Sequence, residues 1–437
     1  MAKAPAPQSI VRIGVLGCGN VGAAFVQLVG RQADIIEART GVRLQVASVA
    51  VRNISSDRQA VLPDGVLTSD AHAVVADPSI DLIVEVIGGI EPARELISTA
   101  IANGKPVVTA NKELLANFGH ELWAQSDAAG VDMLFEAAVA GGIPLIRALR
   151  ESLRGEPITR VMGIVNGTTN FILTKMTEEG ADYSAALSEA QRLGFAERDP
   201  TADVEGFDAA AKAAILSGLA FHTRVTVEDV YREGISQITL EDVQIAKSMD
   251  HVIKLLAIAE LTPADEISVR VHPVLLHKSH PLASVRDAFN AVFIEAESAG
   301  PLMFYGRGAG GAPTASAILG DVVAVSRHIA LNSIGQRETD YADRDIAPIE
   351  TTKTKFLIRL EVEDKSGVLA TIAQTFAEQD VSIQTVDQNG RDNDAELIIV
   401  THGATEGELK ATVEALKKLS IVTKVTSVIR VEGSTSL

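Results

Sequence analysis

One feature constrains this chain more than any other. A β-branched run at residues 10–17 (I-V-R-I-G-V-L-G) passes directly into G-C-G-N-V-G, Gly17 to Gly22, and then into an apolar stripe of helical spacing made by Val21, Phe25, Leu28, Val29, Ile35 and Ile36. Strand, glycine turn and helix in that order form the first βα unit of a dinucleotide-binding sheet. Gly17 permits the tight turn, Gly19 lets a pyrophosphate approach the backbone, and Gly22 lets helix and strand pack closely, with Asn20 and Val21 completing the turn. A bare packing turn would use the same glycines; the strand before and the helix after favour the dinucleotide. Apolar strands near residues 44–51, 81–87, 106–109 and 133–136 alternate with helical segments at 92–103 and 113–129, which implies a parallel sheet covered on both faces.

The chain is 437 residues long, about three times an ordinary domain of ~150, so two or three cores are expected. The fold class expected is α/β, in three parts. Residues 1–141 form a Rossmann-like doubly wound parallel sheet, with 320–340 returning to it. Residues 142–319 form an α+β catalytic and dimerisation domain. A polar linker at 341–352 leads to a ferredoxin-like βαββαβ module at 353–437.

Charge excludes several partners. With 39 basic and 57 acidic residues the net charge is -18, which disfavours nucleic acid and anionic membrane. No run approaches the roughly 18 uninterrupted apolar residues of a membrane span, and the first nine residues lack the apolar block of a signal peptide. The only cysteine, Cys18, leaves no intramolecular disulfide and suits a reducing compartment, so the cytoplasm is expected. It also leaves no second thiol for an acyl-enzyme mechanism.

Several groups carry candidate chemistry. Arg52 follows the second strand, where an acidic residue would hold a ribose 2′-hydroxyl; an arginine there favours NADP(H) while leaving NAD(H) possible, with Arg58 as a helper. Gly88, in the I-G-G that closes the fourth strand, can pass beneath the nicotinamide ribose or simply end the strand. Lys112, in T-A-N-K, stands at the carboxyl end of the sheet, as an active-site group or an ordinary helix-start lysine. The densest polar stretch is A-E-R-D-P-T-A-D-V-E-G-F-D-A-A-A-K, residues 196–212. Asp208 and Lys212, four apart, share one helix face, either as a surface ion pair or as substrate-facing groups. The acids Glu197, Asp199, Asp203 and Glu205 crowd ahead of them, a setting that suits proton transfer to a carbonyl oxygen and capture of a substrate ammonium. Thr168, in G-T-T-N, suits helix capping or carboxylate binding equally. His272, His277 and His280 resemble a zinc pattern only weakly, without a cysteine nearby.

In this order and spacing the motifs resemble homoserine dehydrogenase with a C-terminal ACT regulatory domain, over nearly the whole chain, and most specifically across A-Q-R-L-G-F-A-E-R-D-P-T-A-D-V-E-G-F-D-A-A-A-K, residues 190–212. The resemblance implies Lys212 as proton donor, Lys112 against cofactor and substrate, and Glu197 and Asp208, with Asp203 and Thr168, at the substrate. It implies Gly194 and Gly308 as cofactor neighbours. The stretch E-A-A-V-A-G-G-I resembles the family's monovalent-cation loop, which implies Na+ or K+ held mainly by backbone oxygens of Glu136, Val139, Gly141 and Ile143. D-K-S-G-V-L resembles the ACT fingerprint, which implies an effector site at Asp364, Gly367, Val368, Leu369 and Gln388, with L-threonine as effector at a contact within a homodimer or homotetramer. The implied reaction is reduction of L-aspartate 4-semialdehyde to L-homoserine. A dehydrogenase for another oxo-acid, or a non-catalytic amino-acid sensor, are the alternatives. The C-terminal module is expected to be dispensable for chemistry.

Overall fold

The computed structural model describes residues 9–56, 62, 65–337, 342–391 and 394–432. Arg58 lies outside them. In order, the chain runs β1 (Ser9–Leu16), α1 (Asn20–Thr40), β2 (Val42–Ala50), β3 (Leu67–Thr68), α2 (Ala71–Ala76), β4 (Leu82–Glu85), α3 (Ala93–Ala102), β5 (Val107–Thr109), α4 (Lys112–Ala129) and β6 (Met133–Leu134). It continues through β7 (Ile158–Ile164), α5 (Gly167–Glu179), α6 (Tyr183–Arg192), α7 (Thr201–Val204), α8 (Phe207–Phe221), β8 (Tyr231–Arg232), α9 (Leu240–Ser248), β9 (His251–Leu261), β10 (Ile267–His277), β11 (Phe289–Ala296), β12 (Gly300–Arg307) and α10 (Gly311–Leu331). Last come β13 (Lys353–Glu363), α11 (Val368–Glu378), β14 (Ile383–Arg391), β15 (Asp394–Thr401), β16 (Ala404–Thr405), α12 (Glu406–Leu416) and β17 (Val422–Glu432). Two compact units gather these elements, one from residues 1–161, 211–229 and 289–343, the other from 162–210, 230–288 and 344–437.

The first unit is built on a parallel six-stranded sheet, β3-β2-β1-β4-β5-β6. Its order reverses beside β1, and that switch point opens a crevice at the carboxyl ends of the strands. The strands are apolar on both faces because helices cover both, with Val11, Ile13, Val15, Leu82, Val84 and Val108 in one core with Phe25 and Val29 of α1. Ala315, Ile318, Val322 and Val325 of α10, which packs on α1, complete that core. Among the described residues α10 is the one helix long and apolar enough to cross a membrane, and this face of it is spent on the core. The turn after β1 demands glycine twice. Gly17 has φ +102°, and a Cβ there would meet the Val86 carbonyl oxygen at 2.8 Å; a Cβ on Gly22 would lie 2.3 Å from the Gly17 oxygen.

In the second unit, β9 and β10 pair antiparallel along eleven residues each and are buried almost throughout. The C-terminal module has the expected βαββαβ order, its strands running β17-β13-β15-β14. Its core is its own: Phe356, Ile358, Leu360, Ile372, Phe376, Leu397, Ile399 and Leu416.

The module is nevertheless no appendage. β17 pairs parallel with β10 (Val274 with Arg430, Leu275 with Val431, Leu276 with Glu432), so one sheet runs through both. Buried charges cross the seam. Arg359 of β13 is bound to Asp242 and Glu241 of α9 at 2.6 Å each, Ser427 also donates to Asp242, and Arg270 of β10 meets Glu432 of β17 at 3.2 Å. The stretch expected to be a linker is held too, since Ile267 donates to the Asp345 carbonyl and accepts from the Ala347 amide, both at 2.9 Å. Removing the module would expose the edge of β10 at Val274–Leu276 and take Arg359 and Ser427 from Asp242 and Glu432 from Arg270, leaving Asp242 with Thr239 and Arg270 with Ser268 and Glu260.

Candidate active site

At the switch point of the first unit lies a cleft of about 580 Å³, lined by Gly17, Cys18, Gly19, Arg52, Asn53, Val86, Ile87, Pro92 and Leu96 among others. Three observations fit it to a dinucleotide. Space opens above Gly19, where a Cβ would touch nothing within 4 Å. Gly19 caps α1 without a side-chain hydrogen bond, and the first turn holds no acid, so the helix N-terminus can receive an anion. Arg52 stands exposed on the rim, two residues beyond β2. Cys18, half-buried and in no disulfide, lies in this wall.

A second cavity, about 250 Å³, shares Val86 and Ile87 with the first and is lined also by Val21, Gly88, Asn111, Lys112, Gly141, Lys212, Gly308 and Thr314. Two residues marked in the sequence far apart, Lys112 and Lys212, thus line one cavity. Lys112 is the first residue of α4, whose cap is Asn111: its Oδ1 accepts from the Leu114 amide at 3.1 Å. Lys212 is 7% exposed, one turn into α8 from Asp208. Gly308 belongs to the turn between β12 and α10, and the Gly142 amide donates to the Arg307 carbonyl at 3.0 Å, which ties that turn to the Gly141 loop.

The loop 136–143 is shaped by two successive left-handed residues, Ala140 at φ 56° and Gly141 at φ 51°. The Glu136 carboxylate is already engaged, accepting from the Ile146 amide at 2.7 Å and the Arg147 amide at 2.9 Å. Burial pushes its pKa up, and those amides pull it back. The Ile143 carbonyl accepts from Leu145 at 2.8 Å. The Glu136 carboxylate and the Ile143 carbonyl thus each have a partner within the chain.

In the second unit, Asp203 and Asp208 are joined by a residue that the sequence reading passed over. Asn166 caps α5, and its amide nitrogen donates to Asp203 Oδ1 at 2.7 Å and Asp208 Oδ2 at 2.8 Å. Capping at this helix start thus falls to Asn166. Thr168 instead donates its hydroxyl to the Phe195 carbonyl at 2.6 Å, which anchors the turn containing Gly194, itself at φ +78°. Glu197 is exposed, two residues beyond that contact, and its carbonyl accepts from Gln191 at 3.1 Å. The histidines take separate roles: His280 caps a short turn, His277 meets Ser279 and His272 its neighbouring Pro273 carbonyl.

In the C-terminal module, Gly367 at φ +94° caps α11, while Leu369 is 42% and Val386 38% exposed. A Cβ on Gly390 would lie 3.3 Å from Asp364 Oδ2, which places that carboxylate against the end of β14. Gln388 is exposed on the same edge strand.

Comparison with known proteins gives a consistent answer. Residues 17–136 match the model of the homoserine dehydrogenase NAD-binding domain, 144–323 that of homoserine dehydrogenase, and 356–420 that of the ACT domain. A homoserine dehydrogenase from Corynebacterium glutamicum is 53% identical over 98% of this chain and 96% of that protein. The crystal structure of one from Thiobacillus denitrificans superposes with a TM-score of 0.92 at 42% identity, covering 97% of this chain and 99% of that one. A hyperthermophilic archaeal homoserine dehydrogenase, solved in complex with NADPH, matches with a TM-score of 0.63 at 30% identity over 72% of this chain and 98% of that one. The chain belongs to the homoserine dehydrogenase family, as an NAD(P)-binding oxidoreductase that carries a C-terminal ACT domain.

Proposed function

We propose that this chain reduces L-aspartate 4-semialdehyde to L-homoserine with NADP(H), on the way to threonine, isoleucine and methionine. The observation that carries this reading is the inner cavity, where Lys112 and buried Lys212 stand beside the glycine turns that continue the dinucleotide cleft. Residues 1–141 with 320–340 hold the cofactor in this reading, and 142–319 supply the substrate groups. The cofactor, when bound, supplies the hydride. Lys212 supplies the rest: as the aldehyde carbon gains hydride its oxygen becomes an alkoxide, which a cationic lysine stabilises and then protonates. Glu197 and Asp208, with Asp203 at their side, take the substrate ammonium, and Thr168 its carboxylate end. Asn166, by holding Asp203 and Asp208 together, fixes their carboxylates as a pair.

Arg52 is the residue we assign to the 2′-phosphate, so NADP(H) is preferred and NAD(H) tolerated. The loop of Glu136, Val139, Gly141 and Ile143 would hold a Na+ or K+, mainly through backbone oxygens. Cys18, in no disulfide, fits a reducing cytoplasm. Effector L-threonine binds the ACT module at Asp364, Gly367, Val368, Leu369 and Gln388. The exposed Leu369 and Val386 supply the apolar contact of a homodimer or homotetramer.

Substrate choice is tested by following NADPH loss with aspartate 4-semialdehyde, oxaloacetate and pyruvate in parallel; turnover of either oxo-acid at a comparable rate overturns it. The effector is tested in the full-length protein by calorimetric titration of threonine against wild type and Asp364→Ala. Heat in both or in neither removes threonine from this site.

A further inference from the structure

β4 is an apolar strand that ends in a single charge. Glu85 is 0% exposed. Its Oε1 accepts from the Ile87 amide at 2.7 Å and the Gly88 amide at 3.2 Å, and its Oε2 accepts from the Thr109 hydroxyl at 2.6 Å. The Asn111 side chain hydrogen-bonds it as well. Asn111 in turn donates to the Gly89 carbonyl at 2.7 Å and caps the helix that begins with Lys112. One carboxylate therefore joins two segments of the inner cavity, Ile87–Gly88 on one side and Asn111–Lys112 on the other.

Burying a carboxylate is costly, and here burial drives its pKa up against the pull of those hydrogen bonds. An apolar residue would fill the space at the end of β4 without that cost. It would leave the Ile87 and Gly88 amides with no acceptor where the strand turns, and Gly88 at φ +80° has no regular ladder to fall back on.

We infer that Glu85 is a positioning residue, which sets the Ile87–Gly88 turn and the start of α4 at the separation that admits the reactive end of the dinucleotide and presents Lys112 to it. This rests on the cofactor reading given above. Glu85 reaches the cleft beside Gly19 only through the Ile87 amide, whereas both segments it joins line the inner cavity, so its loss falls on the nicotinamide end more than on the adenosine end. Glutamine can stand in, because its carbonyl accepts from both amides and its NH2 can donate to the Thr109 oxygen; alanine cannot.

The test compares wild type, Glu85→Gln, Glu85→Ala and Thr109→Val by fluorescence titration with NADPH and by calorimetry with adenosine 2′,5′-bisphosphate, which lacks the nicotinamide half. Glu85→Ala is expected to weaken NADPH about tenfold, the scale of one lost hydrogen-bonded anchor, with the bisphosphate much less affected. Glu85→Gln should recover most of that loss, and Thr109→Val should lose a few-fold. Where Glu85→Ala yields no folded protein, the Gln and Val variants decide by the same two ligands. Unchanged NADPH affinity in Glu85→Ala or Thr109→Val overturns the inference. So does an equal loss of both ligands, or a Gln variant no better than Ala. Wild type that binds neither ligand would sink the cofactor reading itself.

Discussion

Arg430 grips Glu233 with both terminal guanidinium nitrogens, Nη1 to Oε2 at 2.8 Å and Nη2 to Oε1 at 2.9 Å, across the seam between the ACT module and the rest of its unit. The same guanidinium holds Glu406 through Nε and Nη2, and Tyr231 donates its hydroxyl to Glu233. Tyr231 is pushed up to about 12, by burial first and then by Glu233, so it stays a donor at any working pH. From Glu233 the chain leads to the substrate loop: Arg232 donates to the Glu205 carbonyl at 2.7 Å and Ile235 to the Val204 carbonyl at 2.8 Å. Arg430→Ala should cost about 3 kcal/mol, the low end for a broken buried pair because Glu233 keeps contact with water at 39% exposure. Urea unfolding checks this, and a loss under about 0.5 kcal/mol, the scale of an ordinary surface pair, would contradict it.

Truncation near Glu350 should yield an insoluble or partly unfolded protein. It removes β17 from β10, leaving an unpaired edge beside a buried strand, and strips Arg359 and Ser427 from Asp242. Size-exclusion chromatography of the truncated chain gives the answer; a monodisperse, active product would mean that the seam contributes little. Point variants in the full chain are the better route to separating regulation from chemistry.

Acid should loosen the seam. Burial pushes Glu233 up, but the hydrogen bonds and charge of Arg430 more than offset it; Asp242 is likewise brought below its usual range by Thr239, Ser427 and Arg359 despite burial. A lowered folded pKa gives stability that is present above the ordinary values of 4.5 and 3.8 and lost as pH falls through the lower folded ones. Urea midpoints should therefore drop below about pH 4.5, with Arg430→Ala showing a shallower fall. Parallel curves would assign the acid loss to other groups.

Lys212→Met should lower turnover by about 10² to 10⁴ while NADPH binds nearly as before, since the loss falls on proton delivery and developing charge. Steady-state rates with a fluorescence titration separate the two effects. Near-normal turnover would move the proton to Lys112.

Arg52→Glu should weaken NADPH far more than NADH, because it replaces a charge-assisted contact with repulsion. The ratio of the two kcat/KM values reads this directly. Equal losses would make Arg52 structural and reopen the cofactor preference.

Much of this was legible locally. The glycine turn, the apolar strands and the C-terminal βαββαβ pattern are short-range signals, and the structure keeps each. Glu85 had a signal, a lone acid in the apolar run L-I-V-E-V-I, and Asn166 had another, a cap residue immediately before G-T-T-N. The seam had none. Arg270, Arg359 and Arg430 each alternate with apolar neighbours along a strand, the pattern of a solvated face. All three are nearly buried, because their partners lie far away in the chain and period-two spacing cannot report a distant acid.

The three-residue pairing of β10 with β17 also sets a timetable for folding. As the chain leaves the ribosome, β10 and its antiparallel partner β9 are complete long before β17 exists. Throughout that interval the edge of β10 stays open at Val274–Leu276, beyond its short pairing with β8, and Arg270 lacks Glu432. Contacts so distant in sequence make for late, slow steps and a sticky intermediate. A nascent chain stalled anywhere between the two strands is thus the form of this protein most in need of a chaperone.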